Sequence, residues 1–477
     1  MNLHRAFPII VLAWILGLHT AWSTHADSQP DDTSMTFWVR QAVLQDPRIG
    51  PSDITVDTSD GIVTLVGSVQ NVSARQYADR EAKKITGVRG VVNELFVTPS
   101  FRVDADITQD VRQRLLTSAP ISSDALRVTV HQGIVTLEGT VASWAERQEA
   151  GLLAGEVRGV KDVTNKLVVQ YPHTRPDAEI QRDVATTLAH DVFLTGLPIA
   201  ATVKNGVVTL VGEVATVYQQ ERAGDAARLV WNVTGVNNDL LVTQGGSMGT
   251  RQKSPMPTDA QLTAAVYDTL AADQRLAPSE VTVHVQQGEV TLHGVVPSYY
   301  QKHIAEQAAY DVVGVARVTN GLAVRTAHRD DADIQADVQL QLNSDALLAP
   351  GSLGVRSHNG IVTLTGHVNS DFVKLHVTTV TAHVKGIHNI INNITVRSDW
   401  DTDAAMERRI KDFLASNAET QGVADQIRVT VNQAAVTLTG MVNFWSERAA
   451  AGEVAFKIAG VRRIDNQLVV VSTEAAQ

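Results

Sequence analysis

The chain has 477 residues, a hydrophobic content of 44%, no cysteine and a formal net charge of −11. The hydrophobic content is typical of folded domains and excludes a disordered chain. The lack of cysteine excludes disulfide bonds and cysteine-ligated metals. The negative charge disfavours broad electrostatic binding to nucleic acid or anionic lipid, although it leaves a local basic patch open.

The first 26 residues have the pattern of a secretory signal peptide. His4 and Arg5 form a short basic start, and Phe7 to Leu18 is an apolar run too short for an ordinary membrane-spanning helix. Thr24 and Ala26 stand at −3 and −1 of a cleavage point. We expect cleavage there, with an uncleaved anchor as the alternative. Loss of this segment, which carries Arg5 and no acid, changes the charge from −11 to −12.

An aspartate-led pattern recurs six times after this segment. Asp32 is followed by Met35, Val39 and Val43, and this spacing places the three apolar side chains on one face of a helix. We expect the aspartate to be the N-cap of that helix. Successive aspartates are 72, 73, 82, 72 and 72 residues apart, and they are Asp104, Asp177, Asp259, Asp331 and Asp403.

A tight hairpin follows each of these helices. Residues 61–67 read Gly-Ile-Val-Thr-Leu-Val-Gly after an alternating strand, and glycine supplies the positive φ that a two-residue turn requires. The sixth copy has Ala434 where the others have glycine, and we expect a different turn there. The turn glycine recurs as Gly133, Gly206, Gly288 and Gly360.

A second helix and a third strand complete the unit. In the third copy Asn232 replaces the glycine that precedes the closing strand, and asparagine tolerates the left-handed conformation expected there. Small residues such as Ala78 and Ala82 let the second helix lie close to its sheet. Capping residues stand at its start in five copies, namely Asn71, Ser143, Thr216, Ser298 and Ser370.

The predicted fold class is therefore α+β, a tandem array of six small αββαβ modules with two helices on one face of a three-stranded sheet. We favour separate beads with modest contacts over a fused superhelix, because the period exceeds that of common solenoid repeats. The predicted domains are a signal peptide at 1–26, repeats at 32–99, 104–171 and 177–243, a flexible linker at 244–258, and repeats at 259–326, 331–398 and 403–472.

A capped helix, a Val-x-Gly-x-Val-Thr-Leu-x-Gly hairpin and a closing Gly-Val-x-x-Val-x-Asn-x-Leu-x-Val strand resemble the BON domain, from about Asp32 to Val471. The array is similar to OsmY-like periplasmic proteins. The resemblance implies a mixed sheet and residence in the bacterial periplasm or envelope. It also implies non-enzymatic work, namely association with phospholipid membranes, help in osmotic stress and, in some members, chaperoning of outer-membrane cargo. Six copies without a lipid anchor depart from the family pattern.

Aromatic residues at the start of the second helix are candidate contacts with a lipid interface, where such rings are favoured. The alternatives are a hydrophobic staple or packing between repeats. Nearby bases are candidates for lipid phosphates, or else solvated surface. We expect the second, fourth and sixth copies to contribute most. The candidate membrane or partner contacts are Trp144, Tyr218, Tyr299, Tyr300, Phe372, Trp445, Arg147, Lys302, Lys374 and Arg448.

The sequence contains no His-Glu-x-x-His, Walker or Gly-x-Ser-x-Gly motif, and its histidines lack metal-like pairing. We therefore predict no enzyme activity, cofactor, metal, nucleic acid or small-molecule substrate. The leading hypothesis is a secreted, periplasmic binding protein with weak multivalent association with phospholipid or the outer membrane, linked to envelope or osmotic stress. The alternatives are a periplasmic chaperone (holdase) for unfolded envelope proteins and a structural spacer.

Overall fold

The computed structural model describes most of the chain, and it covers residues 30–50, 52–121, 126–243, 257–276, 280–396, 402–458 and 460–471. The predicted signal peptide, residues 1–26, and most of the predicted linker, residues 244–256, lie outside the described residues. The described part contains six successive modules of the order helix, strand, strand, helix, strand. The prediction of an α+β array of αββαβ modules is confirmed.

The first helix of each module has 14 residues and is amphipathic. In the first module Met35, Val39 and Val43 are buried, as their spacing predicts. These helices are α1 (Asp32–Gln45), α3 (Asp104–Thr117), α5 (Asp177–His190), α7 (Asp259–Ala272), α9 (Asp331–Ser344) and α11 (Asp403–Ser416).

The second helix packs beside the first on the same face of the sheet. Each of its five predicted capping side chains accepts a hydrogen bond of 2.7–3.2 Å from the amide three residues later. The second helices are α2 (Val72–Lys83), α4 (Trp144–Gly155), α6 (Val217–Arg228), α8 (Tyr299–Tyr310), α10 (Asp371–Ala382) and α12 (Trp445–Lys457).

The hairpin strands are antiparallel, and the third strand pairs in parallel with the second, so each sheet is mixed. The first strands are β1 (Asp53–Ser59), β4 (Arg127–His131), β9 (Ile199–Lys204), β12 (Glu280–Gln286), β16 (Leu353–His358) and β20 (Ile427–Asn432). The central strands are β2 (Ile62–Val69), β5 (Ile134–Glu138) with β6 (Thr140–Val141), β10 (Val207–Val214), β13 (Glu289–Val296), β17 (Ile361–Val368) and β21 (Ala435–Val442). The third strands are β3 (Gly90–Val97), β7 (Asp162–Asn165) with β8 (Val168–Val169), β11 (Gly235–Val242), β14 (Arg317–Asn320) with β15 (Ala323–Val324), β18 (Asn389–Asn392) with β19 (Thr395–Val396), and β22 (Arg463–Asn466) with β23 (Val469–Val470).

The core of each module lies between the sheet and its two helices. Side chains alternate along the central strand, so Val63 and Leu65 are fully buried under the helices while Ile62 and Val66 point to the open face of the sheet. The same alternation recurs in β10, β13, β17 and β21. The open sheet faces therefore belong to the surface of the molecule.

The repeated aspartate is not an N-cap, which corrects the sequence-based expectation. Each is the first residue inside its helix, and its carboxylate accepts hydrogen bonds from both amides of the hairpin turn. In the first module Asp32 accepts from Asp60 and Gly61 at 2.8 and 2.9 Å. Equivalent bonds of 2.7–3.1 Å occur in the other five modules. The aspartate thus ties the hairpin to the first helix, and local spacing alone does not reveal this partner.

The expectation of a different turn in the sixth repeat is also wrong. Gln433 and Ala434 have φ values of 50° and 62°, matching 51° and 73° at Asp60 and Gly61. The bonds from both turn amides to Asp403 hold the alanine in the left-handed region despite the cost to a residue with a Cβ. Asn232 does have the predicted positive φ, at 67°.

The repeats, numbered 1 to 6 in chain order, pack in three pairs. In each pair the residue that follows the first helix of one repeat forms an antiparallel β-bridge with a residue after the second helix of its partner. Pairs 2/5 and 3/4 make this bridge in both directions, whereas pair 1/6 has one bridge among the described residues. The bridged residues are Ser118 and Val384, Val157 and Asp345, Asp191 and Val312, Val230 and Asp273, and, in pair 1/6, Ile85 and Asn417.

A second set of contacts joins different partners. Tyr77 of repeat 1 meets Phe372 of repeat 5, and Glu149 of repeat 2 meets Tyr300 of repeat 4. Phe193 of repeat 3 lies in one apolar cluster with residues of repeat 6. Further contacts join neighbours within repeats 1–3 and within repeats 4–6. These contacts are those of a dihedral arrangement, in which two groups of three are related by two-fold axes.

The expectation of beads with modest contacts therefore differs from the structure. Helix ends leave backbone groups without partners, and the bridges between repeats satisfy several of them with hydrogen bonds such as Lys385 N–H to the Thr117 carbonyl at 2.9 Å. Because these partners lie far apart in sequence, the pattern of one module does not predict them.

Candidate binding surfaces

Three of the predicted contact aromatics share one position, the second residue of the second helix. They are Tyr218 in α6, Tyr300 in α8 and Phe372 in α10. Tyr300 is only 4% exposed, and the other two are half-buried. Each ring lies where several repeats meet, so the aromatic pattern identifies a contact position, and the contact observed is with other repeats.

The rings of Tyr300 and Phe372 contact polar and aromatic groups of other repeats. The Tyr300 hydroxyl lies 3.5 Å from the Glu149 carboxylate, and its ring centroid lies 4.9 Å from that of His383. Burial and the nearby Glu149 charge raise the pKa of Tyr300 well above its ordinary value. The Phe372 ring packs edge-on against Tyr77, with the centroids 6.2 Å apart.

Tyr218 occupies the equivalent place between repeats 1, 3 and 6. Its ring packs at 5.6 Å, edge to face, on Phe193, and the Lys84 ammonium of repeat 1 lies 4.7 Å from the ring centroid. Trp445 and Ala450 of repeat 6 belong to the same apolar cluster. The structure therefore brings Tyr218 and Trp445 together, while Tyr300 and Phe372 lie at separate junctions.

Each of these aromatic residues has a small residue at the equivalent position of the repeat that it meets in the second set of contacts. Tyr300 of repeat 4 corresponds to Ala145 of repeat 2, Phe372 of repeat 5 to Ser73 of repeat 1, and Tyr218 of repeat 3 to Ser446 of repeat 6. The three small residues are 0–9% exposed. The large and the small residue thus stand at equivalent positions of two repeats that contact each other.

Three of the four candidate bases are occupied within their own repeats. Arg147, Lys302 and Arg448 donate hydrogen bonds of 2.8–3.2 Å to backbone carbonyls at or beside the third strand. Lys374 is half-buried near the start of α10. No lipid-facing cluster of these bases forms among the described residues.

The remaining aromatic candidates, Trp144, Tyr299 and Trp445, are half-buried. The Arg147 guanidinium lies 4.8 Å from the centre of the Trp144 ring, and that of Arg448 lies 5.5 Å from the Trp445 ring. Such stacking fixes a ring against a base of its own helix. Membrane contact through these residues stays a prediction.

A buried imidazole lies at the junction of repeats 2, 4 and 5. His383 Nε2 is 2.8 Å from Glu149, and Nδ1 is 2.7 Å from the carbonyl oxygen of Thr379. Both ring nitrogens face acceptors, so the ring carries both protons. Burial lowers the pKa of His383, but the hydrogen bond and charge of Glu149 outweigh burial and raise it above the ordinary value.

A second buried network holds pair 2/5 together. Arg114 of repeat 2 is 1% exposed and binds Asp345 of repeat 5 at 3.0 Å and Glu156 at 2.7 Å. His376 lies 3.1 Å from the same Asp345. Burial raises the pKa of Asp345, but His376 and Arg114 outweigh it and hold the pKa at about 2. Sequence reasoning did not identify this network, because its members are far apart in the chain.

An exposed apolar stripe lies on α1 of repeat 1. Phe37 is 58% exposed and Leu44 is 41% exposed, and Arg40 on the same helix face is also exposed. On α11, which packs beside α1 across pair 1/6, Arg408 is exposed as well. The signal was present in the sequence, since Phe37 and Leu44 fall outside the apolar periodicity of the helix.

A cleft of about 630 Å³ lies between repeats 3 and 4 and the chain that joins repeats 2 and 3. Tyr171 and Trp231 form part of its wall, and His173, Arg182 and Asp268 line it as well. Its volume is in the range of small-molecule sites. The absence of a small-molecule ligand therefore stays a prediction.

No described helix is both long and apolar enough to cross a bilayer. In the same part of the chain, histidine, aspartate and glutamate residues do not gather in any group of three that could hold a metal ion.

Six copies of one αββαβ module in a single chain define a tandem-repeat protein. The family model described as "BON domain" matches residues 31–99, 103–171, 176–244, 258–326, 330–398 and 402–472. The chain belongs to the BON domain family.

Relatives with curated names match a part of the chain. Osmotically-inducible protein Y of Escherichia coli is 32% identical over 144 residues, which are 29% of this chain and 72% of that protein. Outer membrane lipoprotein DolP of Haemophilus influenzae is 29% identical over 142 residues, which are 28% of this chain and 73% of that protein. A solved structure of CdsD, a type III secretion protein of Chlamydia trachomatis, shares 17% identity over 46% of this chain and 93% of its own, with a TM-score of 0.13.

Proposed function

We propose that the protein is a non-enzymatic binding protein of the bacterial envelope, exported to the periplasm, that associates weakly with phospholipid surfaces. Membership of the BON family and similarity to an osmotically inducible protein and an outer membrane lipoprotein support this proposal. Both relatives are similar to about two of the six repeats.

The observation that carries the proposal is the exposed stripe of repeat 1. Phe37 and Leu44 offer apolar side chains, and Arg40 on the same helix face supplies positive charge. An amphipathic helix face of this kind binds in the lipid interface through its apolar side chains, and anionic headgroups add electrostatic attraction. The net charge of −11 opposes binding to an anionic surface, so we expect binding through the stripe to be weak.

Co-sedimentation with vesicles tests the proposal. Vesicles of phosphatidylcholine alone and with phosphatidylglycerol are compared at low salt, using the full chain and the double variant F37S/L44S. We expect binding to the anionic vesicles and at least a fivefold loss in the double variant. The matched control is L116S, since Leu116 holds the same place in α3 as Leu44 in α1 and is 55% exposed. No binding of the unmodified chain at low salt contradicts the proposal.

A second candidate function is a holdase for unfolded envelope proteins. It is favoured by large apolar residues on the open sheet faces of repeats 1, 2, 3 and 6. Phe96, Val168, Leu241 and Val469 share one position of the third strand and are 70%, 62%, 63% and 60% exposed. In repeats 4 and 5 that position holds Ala323 and Thr395. Exposed apolar surface of this kind suits an apolar partner.

Light scattering of a denatured outer-membrane protein decides between the two functions. A holdase lowers aggregation at equimolar concentration, and the quadruple variant F96S/V168S/L241S/V469S loses the effect. Unchanged aggregation with the unmodified chain rules the holdase out. The structural spacer has no supporting observation, since a spacer predicts an extended rod and the repeats pack into a closed body.

A further inference from the structure

The interface between the first and last repeats lacks a hydrogen bond that the other pairs make. Each bridge in pairs 2/5 and 3/4 includes one backbone hydrogen bond of the same kind. Its donor is the N–H of the second residue after the first helix, and its acceptor is a carbonyl at the end of the second helix of the other repeat. Five positions of the chain make this bond, from Ala119, Val192, Gln274, Ala346 and Ala418, at 2.5–3.0 Å. The sixth equivalent position, facing α12 of repeat 6, is Pro47, which has no N–H.

The missing donor explains why pair 1/6 has one described bridge where the other pairs have two. The bridge between Ile85 and Asn417 remains, with hydrogen bonds of 3.2 and 3.0 Å. On the other side, Asp46 precedes the proline and forms an ion pair with Arg48 of its own repeat. Among the described residues, charged side chains join repeats 1 and 6 on this side in place of the bond that Pro47 cannot make.

Those side chains form a cluster of mixed charge. Lys457 of repeat 6 binds Glu81 of repeat 1 at 2.9 Å, and Lys84 of repeat 1 binds Glu453 of repeat 6 at 2.9 Å. Such pairs gain little after the cost of removing charges from water. A pocket of about 40 Å³ lies among these four side chains and holds room for water. Pair 3/4 also has a small pocket but keeps both bridges.

We infer that repeats 1 and 6 separate reversibly at this interface while pairs 2/5 and 3/4 stay closed, and that the surface released is an interaction surface for lipid. Separation uncovers Ala42, Ile85, Phe413 and Ile458, which line the interface. Phe413 packs against the cores of both repeats and so loses its cover on one side. The lipid partner rests on the function proposed above, and it is favoured because Ala42 at this interface lies on α1, the helix that carries Phe37 and Leu44. The opening itself does not depend on that function.

Thiol labelling measures the opening without lipid. The chain has no cysteine, so single cysteines report one site each. Ile458, Val384 and Val312 occupy the same position after α12, α10 and α8 and are 4%, 2% and 1% exposed. We expect I458C to react at least tenfold faster than the matched controls V384C and V312C. Equal rates at the three sites overturn the proposal.

The variant P47A restores the missing N–H and supplies a second, independent measurement. In the I458C background it is expected to slow labelling at least threefold and to leave the rate of V312C unchanged. Unchanged or faster labelling in P47A/I458C overturns the proposal. Both proteins in this comparison carry the same cysteine, so its own effect on folding cancels.

A disulfide across the interface then tests the lipid partner. The variant I85C/N417C joins a bridged pair, and S118C/V384C is the matched lock on pair 2/5. Oxidation of the first lock is expected to lower binding to phosphatidylglycerol vesicles at least threefold, with recovery on reduction, while the second lock has no effect. Equal binding by the locked and reduced I85C/N417C protein overturns the released surface as the lipid site. Loss of all vesicle binding, even without a lock, instead contradicts the proposed function.

Discussion

Pairs 1/6 and 2/5 join the same two segments of the same module, yet they are held together differently. Pair 2/5 has two β-bridges and a nearly inaccessible arginine between two carboxylates. Pair 1/6 has one described bridge, a proline at the missing donor and a cluster of paired lysines and acids. The repeated fold thus fixes which segments form the interface between two repeats, and single residues in those segments decide how stable that interface is.

The largest expected effect in this comparison is the loss of Arg114 from pair 2/5. The variant R114A leaves the buried Asp345 with one cationic partner fewer, and breaking a buried pair of this kind costs about 3–5 kcal/mol. Urea unfolding of the full chain measures the change. The matched variant in pair 1/6 is K457M. Burial lowers the pKa of Lys457 to about 8, and Glu81 keeps Arg48 and Lys84 as partners without it, so we expect a smaller loss than in R114A. Equal losses in the two variants contradict the comparison.

A smaller effect is expected from exchanging large and small residues between repeats 2 and 4. The variant A145Y places a second ring near the junction that Tyr300 fills, and overpacking costs about 1–3 kcal/mol. The double variant A145Y/Y300A moves the ring to the other repeat and is expected to recover at least half of that loss in urea unfolding. Additive losses in the double variant show that the two positions do not share one junction.

The pH dependence of stability follows from the raised pKa of His383. A group whose pKa is raised on folding adds its full stabilisation below its ordinary value, about 6.5, and loses it as the pH rises through the raised value. We expect the melting temperature to fall over that window, and to fall less in H383Q. Identical pH profiles for the two proteins contradict this assignment. The ionisable groups that face the imidazole are Glu149, Glu156, Tyr300 and His303, and Arg275 acts on Glu149.

The smallest change is expected at the turn of repeat 6. Ala434 holds a φ of 62° that glycine adopts without strain, so A434G is expected to stabilise the protein by about 1 kcal/mol. The matched variant G133A, in a turn of the same shape, is expected to destabilise it by a similar amount. A shift of the same sign in both variants runs against this account of the turn.

The module was predictable because its signals are local. Apolar spacing gave the helices, turn glycines gave the hairpins, and capping residues such as Ser143 and Ser298 do accept the predicted bonds. The role of the repeated aspartate was not predictable, because the turn amides that it binds lie 28 and 29 residues away in the first module. An aspartate at the start of a helix fits the preference for an N-cap residue, but in this fold its carboxylate binds the hairpin turn instead.

The candidate contact residues show the same limit at a larger scale. The expectation that repeats 2, 4 and 6 contribute most to binding stays a prediction. The aromatic pattern that selected Tyr218, Tyr300 and Phe372 marks positions where repeats meet. It did not show whether the partner was a membrane or another repeat, since both favour an aromatic ring at a helix start. Small residues at the equivalent positions of other repeats point to contact between repeats, and they are Ser73, Ala145 and Ser446. This could be recognised only once the contacts between repeats were known.

Small-angle scattering of the full chain tests the central claim, the closed packing of six repeats, most directly. A compact body of this size has a radius of gyration of about 22 Å. We predict a value close to that for the folded repeats, with a compact scattering profile at both low and moderate salt. A radius roughly twice as large, with the profile of an extended rod or a string of separate modules, contradicts the account.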